Sequence, residues 1–169
     1  CHQAVAQVED TLVCAFNTGV EWQESGSDQS CQSCHMPKVE RPLVPGGPVR
    51  EVRQHLFLGS GIPKDSIEPG EEDYYAQLKP AIDVDLQLPE RAASGTLVRG
   101  TLSLHNARAD HYVPSGDPER YLLARVQVRD AQGALLTQST ARMGQRWVWW
   151  PKAERLADNR IAPDERREL

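Results

Sequence analysis

No run of about 18 apolar residues occurs in this chain, so the sequence offers no membrane-spanning helix. It opens on Cys1-His2-Gln3, with neither the basic start nor the apolar stretch of a secretory signal. Aromatic residues make up only 6% and hydrophobic residues 39% of 169 positions, which is little apolar bulk for a core of that length. Basic runs are also missing. The net charge of −5, with no basic run to offset it, argues against a nucleic-acid partner. No internal repeat occurs, while 12 Gly and 12 Pro break the chain often.

What the chain does contain is Cys31-Gln32-Ser33-Cys34-His35. A C-x-x-C-H pentapeptide reads as a covalent c-type haem attachment site. Two thiols at this spacing can add across the two vinyl groups of one porphyrin, with the adjacent imidazole as proximal iron ligand. Cys1-His2 looks like the tail of a second such motif, which would put another haem on Cys1 with His2 beneath it. A Cys1–Cys14 disulfide or an N-terminal lipid on Cys1 are the competing readings. Cys31, Cys34 and His35 could instead hold zinc with Cys14 as fourth ligand, although exported proteins seldom keep free thiolates. A thiol-redox C-x-x-C lacks its βαβ context.

The expected fold class is mainly β, with an irregular, partly helical haem-binding N-terminal segment over residues 1–79 and a small β-sandwich over residues 80–169. In the first part, Val5, Val8, Leu12 and Val13 approximate one helical face, which predicts a helix from Gln3 to Phe16 that stops at Asn17-Thr18-Gly19. Residues 25–30 read as a loop. From Pro37 to Gly70 the chain is rich in Pro and Gly and reads as a long wrap around a cofactor. Glu71 to Leu78 is expected as a short helix before Pro80. In the second part, Ile82, Val84, Leu86 and Leu88 alternate with Asp83, Asp85 and Gln87, the period of a half-buried strand. Further strands are expected around Val98–Leu104, Leu122–Arg129, Ala134–Thr140 and Arg146–Trp150, with a turn at Asp130-Ala131-Gln132-Gly133. Such short strands suggest a sandwich. Trp147, Trp149 and Trp150 are read as its core, or as a face that packs on a porphyrin or grips a sugar.

A low-spin iron needs two axial ligands. Besides His35 and His2 there are three histidines, His55, His105 and His111. His55 lies in the Pro/Gly-rich wrap and His111 in a loop between two strands, so each could reach an iron or sit at the surface. His105, before Asn106, reads as a half-exposed strand-end residue. Two irons with paired imidazoles need four histidines and five are present, so nothing forces an open coordination position. Paired imidazoles also favour a lower potential than a His/Met pair.

The run Cys31 to Pro37, followed by His55-Leu56-Phe57-Leu58-Gly59, resembles multihaem c-type cytochromes. The second half is similar to the β-sandwich domain that follows the haem region in some of them. It carries Asn106, His111-Tyr112-Val113-Pro114-Ser115-Gly116, Pro118, Arg120, Asp130 with Gly133, and Asp158 to Glu165. Family members usually read Gly-His-x-x-Pro-Thr-Gly in the loop; here Asp110 replaces the first Gly and Ser115 the Thr. The resemblance implies that His55 and His111 are distal haem ligands and that haems lie close enough for electron hopping. It also implies export, to the periplasm or beyond the cell, and both chain ends read as cut from a larger cytochrome.

The function expected is electron transfer through heme c, one group on Cys31 and Cys34 and a second on Cys1, with bis-His ligation by His35, His2, His55 and His111. The chain is read as an electron carrier and not an enzyme. Its expected partners are redox proteins or neighbouring haem-bearing subunits, with self-association to extend the conducting chain. The alternatives are a multihaem redox enzyme acting on a small nitrogen or sulfur compound, and a binding module built on the sandwich.

Overall fold

The second half turns its two-residue alternation into antiparallel strands. The computed structural model describes residues 3–8, 11–54 and 80–169, and these are mainly β. Cys1, His2, His55 and the helix expected at Glu71–Leu78 lie outside the described residues. The chain divides into two compact units. One takes in the described residues 27–54, and the other joins those up to Gly26 with Pro80–Leu169.

In the larger unit, β1 (Ala4–Val8) and β2 (Thr11–Phe16) form an antiparallel hairpin, with Ala4 opposite Phe16. The helix expected over Gln3–Phe16 is therefore corrected to two strands. The β-branched Val5, Val8, Thr11 and Val13 favour extended backbone over the three-to-four spacing that suggested a helix. The helix begins where the expected one was to end: α1 spans Thr18–Ser25 and closes on Gly26, whose φ of 70° is the left-handed C-cap.

Three later strands form one sheet in the order β10 (Arg166–Glu168), β6 (Thr101–Asn106), β5 (Ile82–Gln87). A second holds β7 (Tyr121–Arg129), β8 (Leu135–Val148) and β9 (Glu154–Asp158) in that order. The strands expected at Ala134–Thr140 and Arg146–Trp150 are thus one long strand, β8. The turn at Asp130 forms as expected. Gly133 donates to the Asp130 carbonyl at 3.0 Å with φ of 85°, which glycine adopts without steric cost.

Leu102, Leu104, Met143 and Ile161 are the buried core, with Ile82, Leu122, Ala124, Val126 and Ala141 packed against it. Both three-stranded sheets contribute to it. The apolar positions Leu122, Ala124 and Val126 point inward as their alternation predicts, whereas Val84 and Leu86 of the edge strand β5 stay exposed. The tryptophans are not in this core. Trp147 and Trp149 stack with ring centroids 5.1 Å apart, and Trp150 is 82% exposed.

In the smaller unit, α2 (Cys31–His35) precedes a hairpin of β3 (Lys38–Pro42) and β4 (Val49–Arg53). The wrap expected to be structureless from Pro37 thus starts as paired strands. Val39 faces Val52, and Lys38 meets Glu51 at 2.6 Å. No helix among the described residues is long and apolar enough to cross a membrane.

Candidate functional site

Residues 31–35 form a single helical segment closed at both ends. Ser30 is the N-cap: its Oγ accepts from the Ser33 N–H at 3.2 Å, and the Ser33 hydroxyl donates back to the Ser30 carbonyl at 2.6 Å. At the other end the Arg53 guanidinium donates to the carbonyls of Gln32 and Met36, at 2.9 and 3.0 Å. A cation there satisfies orphan carbonyls and complements the negative helix terminus. Gln54 N–H, next along from β4, donates to the Pro37 carbonyl at 2.9 Å, which fixes the hairpin to the exit of the helix.

Cys31, Cys34 and His35 fall at i, i+3 and i+4, the spacing that puts side chains on one helical face. Cys31 and Cys34 are free thiols; Cys34 is exposed, while Cys31 and His35 are half-buried. This donor set fits a c-type haem. Thioether formation would use the two thiols on one face of one turn, and the neighbouring His35 imidazole would be the residue to hold the iron. Among the described residues no three His, Cys, Asp or Glu side chains gather as a metal cluster. A structural zinc asks for such a convergence of four ligands; a covalently tethered porphyrin asks for only one from this segment. Of Cys14, only the backbone, in β2, is described.

His111 belongs to the larger unit, in the loop between β6 and β7. Its Nδ1 lies 2.8 Å from the Tyr112 carbonyl. A carbonyl can only accept, so Nδ1 carries the ring proton. That is the tautomer whose Nε2 has the lone pair a metal takes, fixed by the same kind of contact that orients metal-bound histidines elsewhere.

The loop around His111 is tied down on every side. Asn106, 1% exposed, donates through Nδ2 to the carbonyls of His111 and Ile161, at 3.0 and 3.3 Å. Val113 and Ile161 exchange backbone hydrogen bonds of 2.9 and 3.0 Å. The Tyr112 ring lies under the Arg160 guanidinium, 4.7 Å from its centroid. Ser115 donates to Glu21 Oε2 at 2.6 Å, which leaves the Thr18 hydroxyl as the donor in its 2.7 Å contact with Ser115. Gly116 ends the loop with φ of 88°.

Glu21 and Arg160 are the charged centre of this network. Arg160 donates to Glu21 Oε1 at 2.5 Å and holds Asp158 by both oxygens, at 2.9 and 2.8 Å. Burial pulls the Arg160 pKa down, but its hydrogen bonds to Asp158 and Glu21 outweigh that and raise it. Burial pushes the Asp158 carboxyl up; Arg160 overrides this and holds it below the usual carboxylate range. Among the described residues no buried side-chain nitrogen or oxygen lacks a partner.

Asn106, the His111 loop and the Asp158–Glu165 segment, far apart in sequence, therefore meet in one hydrogen-bonded assembly. Glu21 was missed: α1 carries no motif that marks it. His105, by contrast, is engaged at both ring nitrogens, Nε2 with Asp164 at 3.0 Å and Nδ1 with Arg166 at 3.4 Å. It sits half-exposed in β6, as the strand-end reading expects. The sequence matches no protein-family model and no curated protein, and no solved structure matches the chain.

Proposed function

We propose that this chain is an electron-transfer module that carries haem covalently on Cys31 and Cys34, with His35 as proximal ligand. One observation carries the reading: two free thiols and an imidazole occupy i, i+3 and i+4 of one capped helical turn. Bound there, the haem would supply the one-electron chemistry. The chain's own contribution is to hold the turn rigid through Ser30 and Arg53 and to present His35 beside the second thiol.

His111 is read as a distal haem ligand, and its Nδ1 tautomer supports that role. A second haem on Cys1 with His2 as its proximal ligand, and His55 as a further distal ligand, rest on the sequence. Filled coordination favours electron passage over substrate chemistry, hence a carrier and not an enzyme. The two three-stranded sheets sharing the Leu104–Met143 core are read as a small sandwich that scaffolds the His111 loop. Haem attachment implies export, to the periplasm or outside the cell, with redox proteins or further haem-bearing subunits as partners, including copies of the chain.

The test is a pyridine haemochrome spectrum of protein produced in a host that attaches haem during export. A c-type signature that falls in Cys31→Ala and Cys34→Ala supports the reading. A colourless wild-type protein from that host overturns it.

One observation favours a second role compatible with the first. Trp150 is 82% exposed, directly after the stacked Trp147 and Trp149, as at a face that stacks on sugar rings. Retention on an insoluble glycan that Trp150→Ala abolishes supports it; no retention removes it.

A further inference from the structure

We infer that Arg160, clamped between Glu21 and Asp158, is a positioning residue for the His111 imidazole. The inference rests on the reading of His111 as an axial ligand. The juxtaposition behind it is continuous: the Arg160 guanidinium covers the Tyr112 ring, and the Tyr112 carbonyl accepts a hydrogen bond from the His111 Nδ1–H.

Each link has a physical reason. The Arg160 side chain is 8% exposed and reaches Glu21 and Asp158 on two edges of its planar fork. A guanidinium held by two carboxylates has one orientation, so the face it turns to Tyr112 is fixed as well. Tyr112 carries His111 as its sequence neighbour, and the carbonyl between them chooses the tautomer. Glu21 acts twice, since its second oxygen accepts from Ser115 three residues beyond Tyr112. The Ser115 hydroxyl is shared between Glu21 and Thr18, which anchors the loop to α1. Arg160 thus sets the tilt of the ring from one side and Glu21 the course of the loop from the other. Removing a group that orients a ligating histidine commonly lowers metal affinity by about 10- to 100-fold.

The test compares wild type with Arg160→Gln, Arg160→Lys and His111→Ala. In the haem-free chain, imidazole nitrogen shifts report the His111 tautomer directly. Wild type is expected as the single Nδ1–H form, Arg160→Gln as a mixture, and Arg160→Lys between them, because lysine keeps the charge without the fork. In the haem-loaded chain, electron paramagnetic resonance reads the spin state. Arg160→Gln is expected to gain high-spin signal toward the level of His111→Ala, with added imidazole restoring the low-spin form. Should Arg160→Gln not fold, Arg160→Lys takes its place with the same readouts. An unchanged tautomer in Arg160→Gln, or in Arg160→Lys where that replaces it, overturns the inference. So does an unchanged spin state in a variant where His111→Ala alters it. If His111→Ala leaves the spin state untouched, the ligand role of His111 fails, and the nitrogen shifts alone decide whether Arg160 positions the ring.

Discussion

Glu21 and Arg160 are 139 positions apart in the sequence and 2.5 Å apart in the fold. Both side chains are 8% exposed, and the pair ties α1 to the segment that enters β10. An ion pair so buried is sensitive to the loss of one member. Arg160→Met is expected to destabilise the larger unit by roughly 3–5 kcal/mol, because the buried Glu21 carboxylate is left without its cation; Glu21→Gln is expected to cost less, since Arg160 keeps Asp158. Urea denaturation of the haem-free chain measures this. The double variant is expected to lose less than the sum of the two, as residues in contact do not add.

Stability is expected to fall with acid through Asp158 and Glu165. Burial pushes the Glu165 carboxyl up, but the Ala162 N–H and the Arg167 side chain outweigh that, so both groups titrate lower when folded than when unfolded. The unfolded chain therefore binds more protons as the pH drops. Their contribution is complete above the ordinary carboxylate values of about 4 and is lost as the pH falls through the lowered folded values. Melting temperatures from about pH 5 down to about pH 2.5 should decline, and Asp158→Asn should make that decline shallower. An Asp158→Asn curve parallel to wild type would remove this carboxylate from the explanation.

The Cys31–His35 turn should weaken from either end. Ser30→Ala removes the N-cap oxygen and is expected to cost α2 about 1 kcal/mol. Arg53→Ala removes the cation from the C-terminus, at about 0.3–1 kcal/mol for the charge, and also takes the guanidinium donor away from the Gln32 and Met36 carbonyls. Amide hydrogen exchange at Ser33 and Met36 reads the two ends separately, since these N–H groups bond to Ser30 and Gln32. Faster exchange at Ser33 in Ser30→Ala and at Met36 in Arg53→Ala is the expected pattern.

Gly116→Ala places a Cβ on a backbone at φ of 88°. The strain is expected to cost roughly 1–2 kcal/mol, and it falls on the loop that carries His111. Exchange at the Val113 N–H, which bonds to the Ile161 carbonyl, should quicken with it. Gly133→Ala, at φ of 85° in the turn before β8, should cost a similar amount without moving Val113.

Strand β7 was legible in the sequence because one side of it had a core to face. Leu122, Ala124 and Val126 alternate with Leu123, Arg125 and Gln127, and the structure buries the first set more than the second. The first 16 residues misled because Val5, Val8, Leu12 and Val13 fit a helical spacing, while branching at Cβ favoured the hairpin. The β3–β4 hairpin was hidden by Pro and Gly, which here mark the turn between strands and not a long coil; Gly46 has φ of 75°. The pentapeptide at Cys31 was legible as chemistry, since its spacing alone sets the face that two thiols and an imidazole share. Glu21 was not legible, because its importance comes from Arg160 and Ser115, which only the fold brings to it.

The intact mass of the chain, produced in a host that attaches haem covalently, tests the central claim most directly. The account predicts a mass above that of the bare polypeptide by whole haem increments, at least one of them lost when Cys31 and Cys34 are both replaced by Ala. A wild-type mass equal to the polypeptide alone, from cells that attach haem to other proteins, would contradict it.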